Sequence, residues 1–517
     1  MAVGLFYLDT NYRCFYNFLK RRYKMKPTFS LTLILFSFVI NSAPATIKID
    51  TIGTTGVDAQ NYGPIWQRIV YLPSIGIYTA WIKTGMFSSF YSFATRTWSG
   101  EVEVFGSQRN ASGNLDVPQN PASPYYRSTF ISSFINRTPR WPIFAVESIP
   151  GSTSFVMRPL DSSLMGCARA PIAFTSNNWL HLLCVDSTTQ DTLLYSRSTD
   201  YGVTWSRPME ICNGFLPANP TYNIAASKNS RRLSAIWTNE DSSQLWLNIS
   251  EDGGTTWSGV QNIFPPPTTI VNPRPGKFGA YGLFDSADRL NIVTQVWDGV
   301  NQIPAEIWHW QENRSPGWTL VYRFAPSSVR APAEPGEPFV VRPTLGTRAT
   351  DGSLFVLWLN YDSLNYESST QLARADLFVA QSQNNGINWS PPYRLTGPDN
   401  YSRLSPCLAS TVRDTLSIIT IVDQIAGVYE QGHGPQTTNP VCVLQVPVSD
   451  LPGVTEGTFN PPGRYSPIAI CPLSRMHLLP QTEIYSPLGQ LTPTPTGGGV
   501  YFIRDKTRNV KKLVLIP

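Results

Sequence analysis

The sequence predicts an all-β chain whose main body is a β-propeller of four-stranded blades. Three observations predict it. An eight-residue turn is written twice in full, as STDYGVTW at Ser198 to Trp205 and SEDGGTTW at Ser250 to Trp257. Apolar runs of strand length precede each turn in sets of three, and a short run follows. Aromatic residues make up 12% of the chain and charged ones 15%, with 36 Gly and 44 Pro. That composition suits many turns around a large apolar core and excludes a disordered chain.

The elements follow in chain order. Residues 1–45 read as an export leader. Lys20 to Lys26 is basic, Phe29 to Ile40 is an apolar run, and Ala43 to Ala45 offers small residues for cleavage. The run is too short for a spanning helix, which needs about 20 apolar residues. Met25 is a possible true start, because the residues before it add nothing a signal requires. Without 1–45 the chain holds 34 basic and 34 acidic residues, so the overall charge of +5 resides in the leader. A neutral body argues against broad binding to nucleic acid or membrane.

Residues 46–448 read as the propeller. Taking the turns as a ruler, the first strands of seven units begin near 68, 127, 169, 220, 277, 342 and 403. SQNNGINW at Ser382 to Trp389 is a weaker third turn, with Asn384 in place of the Asp. The last unit lacks a fourth strand, which Ala45 to Asp50 (ATIKID) can supply, closing the ring and hiding its sheet edges. Residues 449–517 are linker-like, then end in two strands, Val500–Arg504 and Leu513–Ile516, around a basic turn.

Each position of the turn has a folding role. Gly202, Gly254 and Gly386 suit positive φ. Asp200 and Asp252, and Asn384 in the third copy, can accept backbone N–H groups beside Ser198, Ser250 and Ser382. Thr204 and Thr256 complete the motif. Trp205, Trp257 and Trp389 are large apolar plugs for the wedge between blades. None is a plausible catalyst. These turns resemble the Asp-box, or BNR, repeat of sialidases and related propellers. The resemblance covers about residues 60–448 and implies a propeller whose boxes lie away from the active site. Sialidases usually have six blades, so either the seventh unit is a departure or unit two is a miscount. The tail resembles the end of a type IX secretion C-terminal sorting domain: IYSPLGQ keeps Ile484, Tyr485 and Gly489 but has Ser486 where Asp is usual. With the leader, this resemblance implies a bacterial protein that is secreted or held at the cell surface and meets secretion machinery through its C-terminal region.

The sialidase resemblance also implies three carboxylate-binding arginines, an Asp acid/base and a Tyr–Glu nucleophile. Arg68 and Ile69 match the start of the family's R-I-P motif, with Val70 in place of Pro. No Asp lies between Asp58 and Asp116, and spacing assigns no Tyr–Glu pair, so no catalytic residue is named. The residues offer a different lead. Arg68, Arg127, Arg169, Lys277, Arg342 and Arg403 each stand at the start of a first strand, and six cations in phase would ring the channel mouth. The expected ligand is a glycan or another carboxylate-bearing molecule. The alternative is an exo-sialidase or other glycoside hydrolase with rearranged acids; a third reading is a scaffold. No Cys/His pair has metal-ligand spacing, and neither metal nor cofactor is expected. Six cysteines remain after the leader, and buried free thiols are the expected state.

Overall fold

A computed structural model describes residues 47–453, apart from 61–66, 107–112, 136–138, 190, 214–220 and 240–242. It also gives the backbone of four C-terminal strands. The leader lies outside the described residues. The chain divides into two units, 1–454 and 455–517.

The first unit is a propeller of seven blades. Blade 1 runs Ile69–Leu72, Gly76–Ile82, Met86–Ser92 and Thr97–Trp98. Blade 2 runs Asn114–Asp116, Phe130–Ile135, Trp141–Glu147 and Phe155–Met157. In blade 3 the inner strand comes in two pieces, Cys167–Ala168 and Ile172–Phe174, before Leu180–Asp186, Thr192–Ser198 and Met209–Asn213. Blade 4 is Thr221–Ala226, Leu233–Asn239, Gln244–Ser250 and Gln261–Asn262. Blade 5 is Arg274–Phe284, Leu290–Trp297, Ala305–Gln311 and Trp318–Phe324. Blade 6 is Val340–Arg348, Ser353–Tyr366, Ala373–Ser382 and Tyr393–Arg394. Blade 7 is Ser402–Leu408, Thr415–Asp423 and Asn439–Pro447, and Lys48–Thr55 pairs antiparallel with the last of these as the closing strand. Inner strands touch their neighbours from blade 1 through to blade 7, which returns to blade 1 through its second strand.

Each sheet is packed on both faces, so its middle strands do not alternate. Gly76–Ile82 and Leu290–Trp297 are buried at every position. The tryptophans that end the three eight-residue turns fill the seams. Trp205 stacks on Phe144 of blade 2 at 4.7 Å. Trp257 meets Tyr195 of blade 3 edge-on at 5.0 Å, and Trp389 meets His309 of blade 5 at 5.3 Å. In every case the partner lies on the third strand of the preceding blade.

Two expectations need correction. Unit two does not begin at 127. Its inner strand is Asn114–Asp116, and the run from Phe130 is its second strand. The inner strand has only three residues, so no periodicity betrays it. Blades 1, 3 and 6 also exceed four strands: Val102–Phe105 pairs within blade 1, and Thr411–Val412 runs parallel to the inner strand of blade 6. Cys167, Cys184, Cys212 and Cys442 are buried free thiols, and Cys407 is buried as well.

The second unit is a small sheet in which Ala469–Pro472 lies parallel to Val510–Ile516. Gly499–Arg504 and then Glu483–Tyr485 complete it, antiparallel.

Candidate functional site

Antiparallel blades give the propeller two ends. Outer-to-inner and second-to-third connections share one end, called upper here; inner-to-second and third-to-outer connections share the lower end. The three eight-residue turns join third strands to outer strands, so they are at the lower end. In each, the Ser hydroxyl accepts the Gly amide (Gly202, Gly254, Gly386) at 2.7–2.8 Å. The Asp or Asn side chain accepts the amide two residues after the Gly (Thr204, Thr256, Asn388) at 2.8–2.9 Å. The turn thus persists where Asn384 replaces Asp.

Four inner strands bend at a residue of positive φ: Arg169 at 53°, Gly279 at 79°, Arg342 at 56° and Ser405 at 48°. Pairing slips between Pro275 and Ala280, Val341 and Thr344, and Leu404 and Cys407. Such bulges re-aim side chains and cluster near functional sites. Glycine adopts this backbone freely, whereas Arg and Ser do so at a cost of about 1–3 kcal/mol.

The six basic residues do not form one ring. Arg68 and Arg342 come together. Arg68 is 1% exposed; its Nη2 donates to the Ser405 carbonyl, while Nε and Nη1 have no partner among the described residues. Burial, and then the Arg342 charge, lowers its pKa to about 10. Arg342 donates to Glu337 at 2.9 Å, and its guanidinium lies 3.7 Å from the Phe278 ring centre. Arg403 is engaged locally, by both oxygens of Asp399. Arg169 sits at the break in the blade 3 inner strand, with Nη1 unpartnered among the described residues. Lys277 lies in the bulged stretch of blade 5, and its side chain is outside the described residues. Arg127 is at the lower end, because it falls between the inner and second strands of blade 2. There it donates to the Pro73 carbonyl at 3.1 Å and stacks on Tyr126.

Around Arg342 the upper end gathers acids that spacing did not reveal. The Tyr361 hydroxyl donates to Glu337 at 2.9 Å. Glu334 Oε1 accepts the Val428 amide at 3.1 Å and lies 2.5 Å from His433 Nδ1. Asp58 accepts from Asn439 at 2.6 Å and from the Tyr429 amide at 3.1 Å. Glu430 accepts the Asp58 and Ala59 amides. Burial, with Glu430 nearby, raises Asp58 to about 6 despite its hydrogen bonds. Burial and then the Asp58 charge push Asp423 to about 7. Glu334 is raised by burial and then by Glu337. Below this layer, the Tyr281 hydroxyl of blade 5 donates to the Gln67 side chain of blade 1, two blades that are not neighbours, so side chains span the channel there.

No family model matches the chain. Among curated proteins, a xyloglucanase (Xgh74A) of Acetivibrio thermocellus is 27% identical over 172 residues. That match covers 31% of this chain, and the chain spans only 18% of the relative's length. Solved structures with similar folds include a polysaccharide lyase of family PL25, an ulvan lyase, with TM-score 0.46 and 12% identity. The match covers 74% of this chain and 100% of that one. An α-L-arabinanase of Penicillium chrysogenum has TM-score 0.40 at 10% identity, over 78% and 99%. The NanB sialidase of Streptococcus pneumoniae has TM-score 0.40 at 13% identity, over 81% and 73%. Likeness at these identities bears on fold alone.

Proposed function

We propose that this chain is a secreted or surface-held propeller that engages an acidic glycan at the upper end of its channel. Arg68 and Arg342 hold the sugar carboxylate. The observation that carries this reading is the buried Arg68, which has two donor nitrogens without a partner among the described residues and a second guanidinium close by. A buried cation left unpaired is costly, and a bound carboxylate offsets that cost with bidentate hydrogen bonds. Action outside the cell rests on the leader-like residues 1–45, and delivery through a sorting domain rests on the pattern at residues 482–517.

A second reading, glycoside hydrolysis, draws on one contact: Tyr361 and Glu337 pair beside Arg342 in the manner of a sialidase nucleophile. Both side chains are buried, at 2% and 0% exposure, as are Arg68 and Arg342, so either reading requires the site to open to its ligand.

Titration calorimetry of the full chain separates these readings. Oligosaccharides bearing glucuronate or sialate bind, and neutral ones bind at least tenfold more weakly. Arg68→Gln and Arg342→Gln lose that preference. Equal binding of acidic and neutral sugars overturns the proposal. Turnover of fluorogenic sialosides selects the second reading.

A further inference from the structure

We propose that His433 is the catalytic acid–base residue of this site, and that it serves β-elimination on a uronate linked through its C4 oxygen. The inference rests on the reading that Arg68 and Arg342 hold the sugar carboxylate.

Most carboxyl groups of the upper end are already engaged, and Asp423, whose Oδ2 has no partner among the described residues, is 1% exposed. Glu337 is held by Arg342 and Tyr361, Asp58 by Asn439 and the Tyr429 amide, and Glu430 by two amides. Glycoside hydrolysis asks for two carboxyl groups free to flank one bond. His433 differs from the buried Glu337 and Asp58, because its side chain is 27% exposed. Its orientation is fixed from behind. Glu334 Oε1 already accepts the Val428 amide, so it acts as acceptor and Nδ1 of His433 carries the proton facing it. The neutral ring then keeps its lone pair on Nε2. Buried carboxylates commonly set an imidazole in this way for proton transfer.

The loop carrying His433 is tightly built. Gly432 has φ 76°, and a side chain on Gly434 would lie 2.3 Å from the Gly427 carbonyl oxygen. The base is therefore presented by backbone that tolerates little rearrangement. It also sits in one charge network with the clamp, since Glu334 feels Glu337, which holds Arg342.

A carboxylate held by two guanidiniums has its charge neutralised, and the C–H bond beside it becomes more acidic. His433 Nε2 takes the C5 proton. The C5–H electron pair forms the C4–C5 double bond, and the C4–O4 bond breaks. The departing oxygen takes the proton back from the imidazolium. No water, oxidant or reductant is consumed, and the products are a new hydroxyl end and an unsaturated uronate. One residue serving both transfers fits a sugar whose C5 proton and C4 oxygen lie on the same face, as in glucuronate.

The test incubates the full chain with hyaluronan and with a polymer of glucuronate and rhamnose 3-sulfate. It follows the ultraviolet absorbance of the unsaturated product and, separately, polymer binding. The expected result is unsaturated product, lost about 100-fold or more in His433→Ala, with binding retained and part of the rate restored by added imidazole. His433→Gln behaves alike, near-ultraviolet circular dichroism confirms folding, and Arg127→Ala at the lower end keeps full activity. Bound polymer without unsaturated product overturns this inference and leaves the binding reading intact. New reducing ends without unsaturation, or full activity in His433→Ala, also overturn it. Failure to bind either polymer overturns this inference, and the calorimetry with sialate-bearing oligosaccharides then decides the binding reading.

Discussion

Arg68 and Asp423 show how single residues at the upper end report on its chemistry. Asp423 has its Oδ2 buried without a partner among the described residues and faces the Asp58 charge. Its pKa rises from 3.8 to about 7. The folded state therefore binds more protons than the unfolded state across that window, so this group's contribution to stability falls as pH rises through it. Asp423→Asn removes the effect. We expect the variant to melt above the parent at about pH 8, with the gap narrowing as pH falls and closing only below about pH 4. Thermal unfolding across pH checks this; a constant gap contradicts it. Of these residues, only the basic ones were legible in the sequence. Arg68 was visible because it opens a strand. Glu334 and His433 lie 99 residues apart, and Asp58 and Asn439 lie 381 apart, so their pairing exists only once the ring closes.

At the scale of the element, the eight-residue turn was fully legible, because every contact that defines it lies within eight contiguous residues. Asp252 accepts from Ser250, Thr255 and Thr256, and these hydrogen bonds lower its pKa to about 2 despite some burial. Asp252→Ala removes the acceptor of those largely exposed donors and is expected to cost about 0.5–1.5 kcal/mol in urea unfolding. Glycan binding stays unchanged, because the turn is at the lower end; weakened binding would contradict the placement of the site. Gly254→Ala should be worse. Its φ is +77°, and the new methyl would meet the Tyr195 hydroxyl at 1.7 Å. The inner strand of blade 2 was the illegible element. Asn114–Asp116 is three residues in a polar setting, and its omission shifted Arg127 to the wrong end. Asp116 anchors that region instead, through Lys228 at 2.6 Å.

At the largest scale, the first unit is a ring held shut by pairing between Lys48–Thr55 and Asn439–Pro447, remote in sequence. The need for such a strand was legible from the missing fourth strand of the last unit. A chain lacking residues 46–56 leaves the Asn439–Pro447 edge open. We expect that truncation to lower the melting temperature and broaden the transition in calorimetry, whereas an unchanged sharp transition would mean the closure is dispensable. Ring closure also assembles the site, since it brings Arg68 of blade 1 to Ser405 of blade 7 and beside Arg342 of blade 6. The most direct measurement of the account is equilibrium binding of one glucuronate-bearing oligosaccharide and its carboxyl-reduced counterpart to the full chain. Recognition of the carboxylate by Arg68 and Arg342 predicts at least tenfold tighter binding of the acid, with the difference lost in Arg68→Gln. Equal affinity for the two sugars, or an acid preference that survives Arg68→Gln, would contradict it.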